Sequence, residues 1–96
     1  MYVFHEDPGH GWLEVTRQVA ANVGLIAEDF SRYSYRDGDT WYLEEDCDLP
    51  TFARAFRNKT GQLPHMTVKR VESDSRIRGL PSLHSRLPAF VDWDAE

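Results

Sequence analysis

The chain is poor in the groups that usually announce chemistry. It has one cysteine in 96 residues, so no internal disulfide can form, which fits a reducing cytoplasm. No apolar run approaches the roughly 18 residues of a membrane span. The start, Met1 to Asp7, lacks the basic opening and apolar stretch of a secretion signal. There is no internal repeat, no low-complexity tract and no catalytic signature. Basic residues are scarce at first: residues 1–48 hold 3 against 11 acids, a net of −8, while residues 49–96 hold 8 against 5, a net of +3. Such polarity suggests two electrostatically distinct faces if the fold keeps the halves apart. The length allows one domain with a single core. An apolar share of 41% with 28% charged residues argues against wholesale disorder.

What is present is local and acidic. In Tyr42-Leu43-Glu44-Glu45-Asp46-Cys47-Asp48, four acids and the only cysteine sit where a predicted strand meets a predicted helix. That much like charge costs stability unless a partner, a metal or helix-end amides offset it. The run therefore marks the expected working surface.

The surrounding pattern is that of hairpins and short helices. Tyr2–His5 reads as a strand, Asp7-Pro8-Gly9-His10-Gly11 as a turn, and Trp12–Val15 as the return strand, with Leu13 and Val15 on one face. Thr16 is placed to cap a helix from Arg17 to about Val23, and Gly24 to end it. Tyr33–Arg36 and Thr40–Glu44 flank Asp37-Gly38-Asp39 as a second hairpin. Trp41 and Leu43 then share one face, Tyr42 and Glu44 the other. Asp48 reads as the N-cap of a helix over Leu49–Lys59 whose stripe is Phe52, Ala53, Ala55 and Phe56, closed by Gly61. His65–Val71 reads as an edge strand. Pro81 and Pro88 argue against a long helix beyond it, yet Leu80, Leu83, Leu87, Phe90, Val91 and Trp93 are too apolar for a solvated tail. Residues 1–78 are thus expected to form one domain, with 79–96 wrapping it or docking to a partner. Wrapping is favoured because a small domain needs the burial. The expected class is α+β, a small antiparallel sheet of about four to five strands with two helices packed on one face.

Gly9-His10-Gly11-Trp12-Leu13-Glu14-Val15, followed by Tyr33-Ser34-Tyr35, Gly38 and Tyr42 to Asp48, then Phe52, resembles a family of small phage, prophage and plasmid-borne proteins. The resemblance spans about residues 3–60, with both motifs at the expected separation. It implies a mobile-element accessory protein and transfers no catalytic residues.

Several chemistries compete for these residues. His5, His10, Cys47, His65 and His84, with Asp7, Asp46 and Asp48, are suitable metal ligands, but no pair has zinc-finger spacing. No metal or cofactor is therefore assigned. A Cys47–His10 pair would favour a thiolate at a helix start, while Asp46 and Asp48 oppose it. Arg54, Arg57, Lys59, Lys69, Arg70, Arg76 and Arg78 would suit a phosphate backbone, without any nucleic-acid-binding motif. The preferred reading is protein binding without catalysis. Glu44, Glu45, Asp46 and Asp48, with Asp37 and Asp39, would meet a basic surface, and Trp12, Tyr33, Tyr35 and Tyr42 are the aromatic anchors. The expected partner is a bacterial protein or ribonucleoprotein, inhibited in the manner of anti-CRISPR proteins. A nucleic-acid accessory factor is the second reading, and a metal- or thiol-dependent enzyme the third. The edge strand and the apolar tail both leave a homodimer open.

Overall fold

The computed structural model of the chain describes residues 1–85. Two hairpins carry the sheet. β1 (Tyr2–Glu6) pairs antiparallel with β2 (Gly11–Thr16), and β3 (Tyr35–Asp37) pairs antiparallel with β4 (Thr40–Glu44). β2 and β4 join the hairpins, again antiparallel. β5 (Met66–Arg70) adds outside β1, giving the order β3-β4-β2-β1-β5. It runs parallel to β1, with Tyr2 opposite Met66 and Glu6 opposite Arg70.

The sheet is thus mixed, where a wholly antiparallel one was expected. The reason is parity. β4 and β1 both oppose β2, so they share a direction, and the helix between β4 and β5 carries the chain back to start a strand in that same direction. The α+β class and the two helices on one face stand.

Helix α1 (Arg17–Asn22) starts where Thr16 Oγ1 accepts the Val19 N–H at 3.1 Å. Helix α2 (Asp48–Thr60) ends at Gly61, whose φ of 81° lets its N–H reach the Arg57 carbonyl at 2.7 Å. Asp48 was the expected N-cap, but Cys47 holds that position without a side-chain bond. Asp48 lies inside the first turn and is buried, because its carboxylate is taken by serines described below.

Strand alternation divides the core in two. On the helix side, Leu13, Val15, Trp41 and Leu43 meet Ala20 of α1 and Phe52 of α2, with Phe30 and Leu83 closing the ends. Leu13 and Leu43 are in register and both 0% exposed. Each buried leucine contributes about 1.5–3 kcal/mol relative to exposure. On the opposite face Trp12 and Tyr42 are covered by Ile77, with Tyr35 and Leu80 beside them.

Ile77 lies in a 3-10 turn, Arg76–Gly79, so the chain after β5 forms a strap under the sheet. The strap leaves at the β3 edge, where Arg36 N donates to Pro81 O at 3.0 Å and Leu83 N to Ser34 O at 2.8 Å. Leu80 and Leu83 therefore lie against the domain. The apolar residues Leu87, Phe90, Val91 and Trp93 lie outside the described residues.

One glycine is set by a close approach. A Cβ on Gly11 would sit 2.2 Å from the tip of the Phe4 ring, which lies across it from β1. Gly11→Ala is expected to lose about 1–3 kcal/mol by forcing that ring aside. At Gly79 an added Cβ meets nothing within 4 Å, so Gly79→Ala should stay within about 0.5 kcal/mol of the parent. Chemical denaturation of the two variants checks the contrast.

Candidate functional site

The β1–β2 loop is organised by one carboxylate. Asp7 has a fully buried side chain, and its Oδ1 accepts the N–H groups of Gly9 at 3.0 Å and His10 at 2.9 Å. Arg78, from the strap, grips both oxygens, Nε to Oδ2 at 2.6 Å and Nη2 to Oδ1 at 2.8 Å. The Ser75 N–H adds a bond to Oδ2 at 3.0 Å. The guanidinium of Arg78 lies 5.2 Å from the Trp12 ring centroid, a cation–π contact. The Arg78 guanidinium and then the Ser75 N–H hold the Asp7 carboxyl well below the usual carboxylate range. Burial opposes them, and the Gly9 and His10 N–H groups add smaller contributions in the same downward direction.

The acidic junction is organised the same way, from beneath. Glu44 is 3% exposed. It accepts the Asp46 N–H at 2.9 Å and the Cys47 N–H, and its Oε2 lies 3.0 Å from His10 Nε2. Burial pushes its pKa up, but those N–H groups and His10 prevail and the net direction is down. Asp48 accepts the Ser31 N–H at 2.8 Å, the Ser31 hydroxyl at 2.7 Å and the Ser34 hydroxyl. Ser34 Oγ in turn accepts the Glu44 N–H at 2.9 Å. Two of the four acids are thus internal scaffolding, which removes them from any contact surface.

Between these two loops opens a cleft of about 380 Å³, lined by His10, Trp12, Tyr33, Tyr35, Asp46 and Cys47, with Glu44 and Arg78 beneath. A larger groove of about 510 Å³ lies between α1 and the β3–β4 turn. Of its four charged members, Arg17 and Asp39 face each other at 3.7 Å and Arg36 bonds the Ser85 carbonyl at 3.0 Å, leaving Glu28, so the cleft is the stronger candidate.

The expected acidic strip is therefore not one surface. Glu44 and Asp48 are buried; Asp46 is exposed at the cleft and Glu45 half-buried next to it, 3.5 Å from His10; Asp37 and Asp39 sit at the far end of β4 and pair with Arg76 at 3.9 Å and Arg17 at 3.7 Å. Of the aromatic anchors, Tyr33 is exposed and Tyr35 half-buried, but Trp12 and Tyr42 are core, because the strap covers their face. The basic set also divides. Arg70 bonds Glu6 at 2.8 Å, Arg76 lies over Tyr42 and reaches its hydroxyl at 3.1 Å, and Arg78 is the clamp. The side chains of Arg54, Arg57, Lys59 and Lys69 are exposed and make no hydrogen bond or ion pair among the described residues.

The potential metal ligands separate too. His5 bonds Glu14 at 2.7 Å, His84 bonds the Phe30 carbonyl, and His65 is exposed ahead of β5. Asp7 and Asp48 are committed elsewhere. His10, Asp46 and Cys47 do meet at the cleft, joined by Glu44, which had been assigned to the contact strip. Donor atoms of His10, Glu44 and Asp46 all lie within 4.8 Å of one another. The Cys47 thiol bonds Glu44; that bond, burial and the charges of Glu44, Asp48 and Asp46 push its pKa up, which works against a nucleophilic role. The role of Asp7 had a signal in sequence, since Asp before Pro-Gly favours a side-chain-closed turn. The role of Arg78 had none.

Among the described residues no helix is long and apolar enough to cross a membrane. Searches against protein-family models, curated proteins and solved structures return no match.

The clamp sets an acid limit to stability. A carboxyl whose folded pKa lies below its unfolded value contributes stability above the unfolded value and loses it as pH falls toward the folded one. The Tm should therefore fall from about pH 4 downward, near the unfolded carboxyl pKa. Asp7→Asn should have a lower Tm at pH 7 and a shallower acid limb, measured by thermal unfolding across that range.

Proposed function

We propose that this chain is a non-catalytic accessory protein of mobile-element origin that works in the cytoplasm. It binds and inhibits a bacterial protein or ribonucleoprotein in the manner of anti-CRISPR proteins. The observation that carries the binding reading is the division of labour in the acidic junction. Glu44 and Asp48 fix the 44–48 backbone from inside, leaving Asp46 presented at the cleft beside the exposed ring of Tyr33, with Glu45 half-buried next to it. Acids on a rigid loop lose little freedom on binding, and an adjacent tyrosine supplies contact area. Their complement is a lysine- or arginine-rich surface, such as one that holds nucleic acid. The mobile-element origin rests on the motif resemblance alone.

Glu45→Lys/Asp46→Lys, compared with the parent as bait in nuclease-treated lysate of a CRISPR-bearing bacterium, tests this reading. The parent should retain a stoichiometric partner, and the variant should lose it with a Tm within a few degrees of the parent. Equal retention by both would contradict the acidic contact. The unpaired Arg54, Arg57 and Lys59 of α2 support a second reading, a nucleic-acid accessory factor. It gains if untreated lysate returns DNA or RNA that is lost in Arg54→Glu/Arg57→Glu and falls steeply with salt.

A further inference from the structure

His10 stands between two carboxylates. Its Nε2 lies 3.0 Å from Glu44 Oε2 and its Nδ1 3.5 Å from Glu45 Oε1. A neutral imidazole has one N–H and so donates to only one of them. The other nitrogen then turns a lone pair toward an anionic oxygen, an approach that a cation between them would stabilise. A second proton on the ring is one such cation; a metal ion is the other.

The second geometry is the one metalloproteins use. A ligating histidine donates its remaining N–H to a carboxylate, which fixes the ring and strengthens the ligating nitrogen. Here Glu45 occupies the donor side and Glu44 the ligand side. At a tetrahedral angle, metal–ligand bonds of about 2.0–2.2 Å place the two donor atoms about 3.4 Å apart, so the 3.0 Å between Nε2 and Oε2 needs to open by only a few tenths of an ångström to admit an ion. Asp46 brings a third donor within 4.8 Å of both, from an exposed position that approaches without loss of core packing. The pocket is preorganised on both sides: Asp7 holds the His10 amide, and Glu44 holds the Asp46 and Cys47 amides. The lining of the same cleft includes Trp12, whose buried Nε1 has no acceptor among the described residues. As a donor it would serve a water or hydroxide carried by an ion, not the ion itself.

We propose that His10, Glu44 and Asp46 bind a divalent transition-metal ion at the cleft, with a further coordination position open to water. One imidazole and two carboxylates suit Zn²⁺ better than the all-oxygen shells of Ca²⁺ or Mg²⁺. The inference does not depend on the binding role above, because it is read with metal alone and no partner.

Isothermal titration of chelator-stripped protein with ZnCl₂ tests it, with tryptophan fluorescence as a second readout, since the His10 ring centroid is 5.3 Å from that of Trp12. One Zn²⁺ per chain is expected, with a fluorescence change and a higher Tm. His10→Gln and Asp46→Asn should each weaken binding by at least about tenfold. His65→Gln and His84→Gln should leave it unchanged. Asp46 is exposed, so its variant keeps the test valid if His10→Gln disturbs the loop. Absence of saturable binding at millimolar Zn²⁺, or parent-like affinity in both His10→Gln and Asp46→Asn, overturns the assignment.

Discussion

The ion pair between the buried Asp7 carboxylate and the partly exposed Arg78 guanidinium is the contact on which the rest of the arrangement depends. It joins residues 71 positions apart, tying the first hairpin loop to the strap that covers the second face of the sheet. Without the strap, Trp12 and Tyr42 would stand open to water, and the five-stranded sheet would have one covered face instead of two. A carboxylate is costly to bury unless its lone pairs find donors. Asp7 meets that condition with backbone N–H groups from Gly9, His10 and Ser75 in addition to the guanidinium. The same bonds that pin the strap also set the position of His10.

The acidic junction resolves its repulsion by a similar device. Four carboxylates within five residues would repel if all were solvated side by side. Instead Glu44 is drawn beneath the loop by the amides of Asp46 and Cys47, and Asp48 is drawn into α2's first turn by two serines. Ser34 bridges them, since it donates to Asp48 and accepts from Glu44 N. The remaining acids are then held outward by a backbone that has little freedom to move. One physical solution, internal carboxylates saturated by N–H and O–H donors, thus builds both walls of the cleft.

The hairpins, both helices and the α+β class were legible in the sequence, because alternation of period 2, turn glycines and the Phe52/Phe56 stripe are local signals. So was the shared face of Tyr42 and Glu44. What could not be read was that this face is covered: burial of Tyr42 depends on Ile77, which arrives from far along the chain, and Glu44 is drawn in by His10 and the amides of Asp46 and Cys47. The same distance misled the reading of Arg70, Arg76 and Arg78. Clustered in sequence they look like a solvated basic face, whereas each meets its own acid or aromatic ring on another strand or loop. The parallel direction of β5 was implied by the order of connections, but the mixed alternation of Met66 to Arg70 gave no local sign of it. Asp48 satisfied the rule for a helix cap and still failed to cap, because Ser31 and Ser34 offered it buried donors that the sequence did not place nearby.

The account rests on Asp7 as the organiser of loop, strap and cleft. Backbone hydrogen exchange in Asp7→Ala tests that most directly, since it reports each amide separately. The Gly9, His10 and Ser75 amides should exchange at rates near those of an unstructured peptide, while Leu13 and Leu43 remain among the slowest in the chain. If Gly9, His10 and Ser75 keep their parent protection, the loop and the strap are held by something else, and the central role given to Asp7 is wrong.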